Sequence, residues 1–171
     1  MIDDKLQGFI VYDQNATKLG VAEVTLPELA HMTDTISGAG IAGEVDTTVI
    51  GNYGSLTTTL TWRNVTPAVI QLSAPDTQNI DCRGSVQMYD QNTGRNTSQA
   101  VKVVMSVQNK STSLGNMVNA ASMGTTQEFE VTYIKIQLDG ATVTEIDKWN
   151  YICVINGVDY MEDTRRALGL N

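Results

Sequence analysis

Through most of this chain apolar and polar residues alternate with a period of two, which restricts it to strands that each cover something with one face. Ser55 to Trp62 is the plainest case: Leu56, Leu60 and Trp62 share one face, and Ser55, Thr57, Thr59 and Thr61 share the other. Gln7 to Asp13 is a Phe/Ile/Val/Tyr run ending at Asn15, and Lys18 to Leu26 is a second run stopped by Pro27. In Ile80 to Asp90, Cys82, Val86 and Met88 oppose Arg83, Ser85 and Gln87. Val101, Val103, Met105 and Val107 alternate with Lys102, Ser106 and Gln108. Glu128 to Leu138 changes phase at Tyr133-Ile134, which a bulge or burial on both faces explains. Thr142 to Trp149 and Tyr151 to Asn156 complete the set.

Helical signals are few. Thr66-Pro67 places a capping hydroxyl before a proline at the first helical position, predicting a short helix through Leu72. The chain then ends in a turn and a helix. Asn156-Gly157 tolerates positive φ, and Asp159 stands in capping-box spacing to Glu162. Met161 and Leu168, seven apart, fall on one helical face, Arg165 and Arg166 suit the negative end of the helix dipole, and Gly169 stands where a left-handed stop belongs. The terminal helix is expected over 159–168. Ser113 to Ala121 adds one more helical turn at most. Many short strands with two short helices give a mainly β protein, a sandwich or barrel with helices covering it.

The segment 33–48 does not suit a compact body. Gly38, Gly40 and Gly43 lie within six residues there, and predict an extended glycine-rich hairpin loop. No lysine follows them, so this is neither a Walker loop nor a dinucleotide turn. Long loops in compact domains are usually functional, and Ile36, Ile41 and Val45 call for a partner that covers them.

Composition excludes other classes. With 171 residues, 42% of them hydrophobic and 18% charged, a single folded domain over 1–171 is expected. No apolar run approaches the roughly 18 residues that suggest a membrane span. Met1-Ile2-Asp3-Asp4-Lys5 lacks the apolar core of an export signal. Cys82 and Cys153 lie far apart without a CxxC pair, so they are expected to be reduced, inert core residues in a protein made in a reducing cytoplasm. A net charge of −8 disfavours tight binding to nucleic acid, which relies on cations neutralising phosphates.

No catalytic or cofactor motif is present. His31, the only histidine, lacks the companions that a triad or metal site requires. Asp76, Asp81 and Asp90 are spaced too widely for a calcium loop. Trp62 and Trp149 are expected in the core or at a subunit contact. The residues alone leave open a small acidic β-sandwich binding module or a carbohydrate-active enzyme.

Two stretches narrow this choice. The terminal Val154-Ile155-Asn156-Gly157-Val158-Asp159 with Ala167-Leu168-Gly169-Leu170 resembles the C-terminus of the major tail tube protein of contractile-tailed bacteriophages. Glu23-Val24-Thr25-Leu26-Pro27-Glu28-Leu29, with the Gly-Ala-Gly-Ile-Ala-Gly-Glu-Val-Asp loop after it, resembles the N-terminal half of the same proteins. The tube body of R-type bacteriocins is similar. The resemblance implies the tail tube fold: a β-sandwich-like subunit that polymerises into hexameric rings, stacked as the inner tube of a contractile tail. Such a tube conducts DNA or ions inside a contractile sheath, and implies no enzyme activity and no cofactor. The partners it implies are copies of the chain itself, the sheath, baseplate and tail terminator proteins, and DNA in transit, with no membrane. The location it implies is a virion tail or bacteriocin particle, after synthesis in the host cytoplasm. On this reading the inter-ring contact is Asp34, Ile36, Ser37, Gly38, Ala39, Gly40, Ile41, Ala42, Gly43, Glu44, Val45 and Asp46. The candidate lumen face is Thr57, Thr59 and Thr61.

Overall fold

The computed structural model describes residues 2–170. Eleven strands and two helices follow one another among these residues. They are β1 (Ile2–Tyr12), β2 (Glu23–Thr25), β3 (His31–Ser37), β4 (Glu44–Tyr53), β5 (Thr57–Trp62), α1 (Pro67–Leu72), β6 (Gln78–Asp90), β7 (Arg95–Ser113), β8 (Thr125–Leu138), β9 (Ala141–Asp147), β10 (Ile152–Ile155), β11 (Val158–Asp159) and α2 (Glu162–Leu168). One antiparallel sheet runs β1-β6-β7-β8-β9-β10-β11, and β5 branches from β8 with β2 on its far side. β3 and β4 form a separate two-stranded sheet.

The branch explains how one sheet encloses a core. β8 pairs with β7 along nearly the whole of β8, while on its other edge β5 takes residues 125–130 of β8 and β9 takes residues 133–138. Between those halves the register slips: Ser106 faces Tyr133, but the next residue, Val107, faces Val131. Thr132 is the extra residue, and Val131 and Thr132 are both buried. A bulge of this kind bends and twists its strand. The two halves therefore close on one cluster that joins Leu56, Leu60 and Trp62 of the β5 segment to Ile80, Met105, Phe129 and Ile134. The phase change expected at Tyr133-Ile134 is real and sits two residues earlier, at Val131-Thr132.

α1 forms as read. The Thr66 hydroxyl accepts from the Val69 amide at 3.4 Å, Pro67 opens the helix, and Val69 and Leu72 are buried. Gln127 of β8, fully buried, ties α1 down: its amide nitrogen lies 2.9 Å from the Val69 carbonyl oxygen and 3.1 Å from each of Ser73 Oγ and Thr112 Oγ1.

Several expectations are corrected. Only Glu23–Thr25 of the Lys18 to Leu26 run is a strand, because β2 finds a partner only opposite Thr59, Leu60 and Thr61. The terminal helix begins at Glu162: Val158-Asp159 is drawn into a strand with β10, and Met161 is the N-cap, without a side-chain capping bond. Met161 is buried and Leu168 is exposed, so the two do not share a docked face. Gly169 does end the helix in the left-handed conformation, at φ 72°. Residues 114–124 make a loop with a turn at 119–121 and no helix. Trp62 is buried, whereas Trp149 is 74% exposed. Cys82 and Cys153 are free and buried.

Candidate assembly surfaces

The hairpin of β3 and β4 carries the first candidate site. Its register pairs Ile36 with Val45, Thr35 with Asp46, Asp34 with Thr47 and Ser37 with Glu44. Alternation therefore puts Ile36 and Val45 on one side, with Met32 toward the base, and Thr35, Ser37, Glu44 and Asp46 on the other. The Thr35 hydroxyl donates to Asp46 at 2.6 Å, and the Thr47 hydroxyl donates to the Asp34 carbonyl oxygen at 3.1 Å. The tip from Gly38 to Gly43 is compact: Ile41 N donates to the Gly38 carbonyl and Gly43 N to that of Ile41, each at 3.1 Å. Gly38, Gly40 and Gly43 all have positive φ, which explains three glycines there. Ala39 and Ala42 are exposed at the tip. Ile41 is half-buried, so it packs into the tip and does not project from it.

Every residue of β3 is exposed, and the hairpin stands clear of the body. Met32, Ile36, Val45 and Val49 are 41–53% exposed. Monomeric proteins seldom leave contiguous aliphatic residues open on a ribbon unless a partner covers them.

The root of this ribbon is firmly held. Gly54 N donates to the Ala30 carbonyl at 2.9 Å, and His31 lies against Tyr53 with ring centroids 4.5 Å apart. The buried Tyr53 hydroxyl meets Cys153 Sγ at 3.6 Å. Burial, and then this thiol, push the Tyr53 hydroxyl up to about 12. Lys148 Nζ reaches the Gly54 carbonyl at 2.7 Å and Glu130 at 3.3 Å. Residues 49–52 bulge out of the β3–β4 ladder, and Gly51 there has φ 69° and abuts Met161. Gly51 does not stand out in the sequence and Met161 reads there only as a helix-face residue, because only the tertiary fold brings them together.

Thr57, Thr59 and Thr61 face outward from β5 and are half-buried. Thr59 lies between Thr25 and Glu128, Thr61 between Glu23 and Thr126, and Thr57 beside Glu130. The result is a face of hydroxyls and carboxylates, with Lys110 paired to Glu128 at 2.9 Å. Burial raises the Glu130 carboxyl, but bonds from Ser55, Lys148 and the Leu56 amide outweigh it and hold it below the usual range. The hairpin and this face are separate: the hairpin ends where β5 begins.

Two further surfaces escaped the sequence reading. Where the barrel fails to close between β1 and β2, a groove of about 280 Å³ is lined by Leu6, Phe9, Val24, Leu26, Val86 and Val101 among others. The 114–124 loop exposes Leu114, Met117 and Val118, with Met117 at 90%. Among the described residues, no group of three His, Cys, Asp or Glu side chains could hold a metal ion. No helix there is long and apolar enough to cross a membrane.

Comparison with known proteins agrees with the sequence resemblance. The profile of the family described as phage tail tube protein FII matches residues 3–169. The chain is 30% identical to the tail tube protein of Escherichia phage P2 over 171 residues, covering 97% of each. Its fold is similar to that of the sheath/tube terminator of the PVC extracellular contractile injection system in its extended state. That match has a TM-score of 0.52 at 14% identity and covers 77% of this chain and 94% of the other.

Proposed function

This chain belongs to the phage tail tube protein FII family, and on that premise we propose that it polymerises into hexameric rings stacked as the inner tube of a contractile tail. The family is structural and not enzymatic, which removes the carbohydrate-active alternative. The tube is a conduit for DNA in a phage or for ions in a genome-free particle. Its partners are further copies of the chain, the surrounding sheath, the baseplate and the terminator. Copies are made in the host cytoplasm and reside in the tail.

The observation that carries this reading is the ribbon of β3 and β4, anchored at its root and bare along its aliphatic side. A heterologous contact between unlike surfaces propagates a filament, and residues 34–46 supply one of the two surfaces such a contact requires. The lumen wall is the face of Thr57, Thr59 and Thr61. Glutamates flank it on both sides. The other broad outward face, across β6, β7 and the second half of β8, carries Arg83, Lys102 and Lys135 on successive strands, with Asp81 paired to the first two and Glu145 beside the third. A wall of hydroxyls flanked by carboxylates has little attraction for phosphate, which suits passing DNA.

Electron microscopy of the purified chain, and of a variant lacking Ser37 to Gly43, tests the proposal. Rings or tubes from the intact chain and folded but unassembled subunits from the variant are expected. Tubes of normal length from the variant exclude the hairpin as the axial contact.

A further inference from the structure

A head-to-tail stack needs a receiving surface for the hairpin, on a different part of the subunit. The hairpin root joins the body just ahead of Thr57, at the start of β5, where Thr57 faces Glu130. At the other end of β5, Trp62 faces Thr125, and there the 114–124 loop leaves the body. The two protrusions thus lie at opposite ends of one strand, roughly 17 Å apart at ~3.3 Å per residue.

That far end is chemically matched to the hairpin. The loop neck is locked: Asn116 N donates to the Met123 carbonyl at 2.9 Å, and Met123 N to the Arg63 carbonyl at 2.8 Å. Gly115 crosses so close to Met123 that an added Cβ would lie 1.9 Å from its carbonyl oxygen. The loop is therefore a preformed knob with Leu114, Met117 and Val118 exposed. Beside it stands Arg63, exposed and outside every ion pair found among the described residues. The hairpin segment 33–48 has the complementary make-up: aliphatic on one side, with Asp34, Glu44 and Asp46 and no lysine or arginine.

We infer that the 114–124 loop with Arg63 is the seat for the hairpin of the next copy. The inference rests on the tube reading above and adds the second half of its axial contact. Aliphatic residues of the ribbon pack on Met117 and Val118, and Arg63 meets Asp34, the carboxylate that the register puts on the same side as Ile36 and Val45. Burying both apolar sides supplies attraction, while the charge pair sets polarity and register.

Disulfide trapping tests this in assembled protein. Ala42→Cys and Val118→Cys are placed together in one chain, where Cys82 and Cys153 are buried and do not compete. Oxidation of tubes is expected to give a ladder of covalent multimers, absent when either new cysteine is omitted. Arg63→Glu and Asp34→Lys should each lower tube yield roughly tenfold or more, and the two together should restore it, because reversal regenerates the pair. Rescue also separates a lost contact from a failure to fold. If tubes form but position 42 cross-links to Leu26→Cys in the β1–β2 groove, or to neither site, the seat is elsewhere and the inference is wrong. An intact chain that makes no tubes at all overturns the tube reading itself, and this inference with it.

Discussion

At the scale of single residues, two titratable groups give opposite outcomes from one physical rule. Burial, and then the neighbouring Asp81 carboxylate, push the Cys82 thiol up to about 12. The thiolate is the reactive form, so Cys82 should resist alkylation in the folded protein and react only on unfolding. Thiol titration with and without denaturant checks this, and Cys82→Ala with Cys153→Ala should cost some stability through cavities while leaving assembly intact. Asp159 is the reverse case. A hydrogen bond from Arg165 is the main cause that holds its carboxyl below the usual range, and the same guanidinium donates to the Tyr151 carbonyl at 2.8 Å. Because its folded pKa is lowered, the stabilisation is present above the ordinary carboxylate range and lost as pH falls through the folded pKa. Protection of the 162–168 amides, relative to their intrinsic exchange at each pH, should therefore fall on strong acidification, and Asp159→Asn should lower it already near neutrality.

At the scale of elements, the root of the hairpin is the point most open to test. Gly51→Ala must hold φ near 69° and fit a methyl 2.1 Å from Met161 Sδ, so it should loosen the root and lower thermal stability. Met161→Ala leaves a cavity and costs stability by itself, but it should cost less in the Gly51→Ala background, and a double-mutant cycle of melting temperatures resolves this steric coupling. Helix α1 offers a milder case: Thr66→Ala should cost about 1 kcal/mol, the usual worth of such a cap, by denaturant titration. Elements whose own pattern decides them were legible: β5, β6, β7, the Thr66 cap and the glycine tip all follow from local spacing. Elements decided by distant partners were not. Thr58 breaks the alternation of β5 because its hydroxyl donates to the Thr25 carbonyl at 2.8 Å inside the core. Gln127 reads as a surface residue until α1 arrives to accept its bonds. The Asp159 capping signal lost to strand pairing with β10, and its carboxylate instead accepts from the Met161 amide at 3.0 Å, just ahead of the helix. Of the assembly surfaces, the hairpin was visible through its glycines, whereas the 114–124 loop looked like a helical turn.

For the whole molecule, β7 and β8 are the strands that run through both halves of the barrel. Neither half can lose its pairing without disturbing the other, so unfolding by calorimetry should be one cooperative transition, which would also fit a single domain. In the assembled state, Thr59→Lys tests the proposed wall: well-formed tubes with slower DNA release or altered ion conductance are expected, since the proposed hexameric ring would turn one cation into a basic ring. Unchanged passage would move these threonines off the lumen. The bend at Thr132 has a mechanical consequence as well. A push received at the β5 end is relayed to the β9 and β10 end along unbroken backbone, with the β7–β8 ladder loaded in shear. Opening a ladder in shear strains many hydrogen bonds at once, whereas peeling strains them singly. The subunit is thus built as a strut, stiff along the direction in which its strands run.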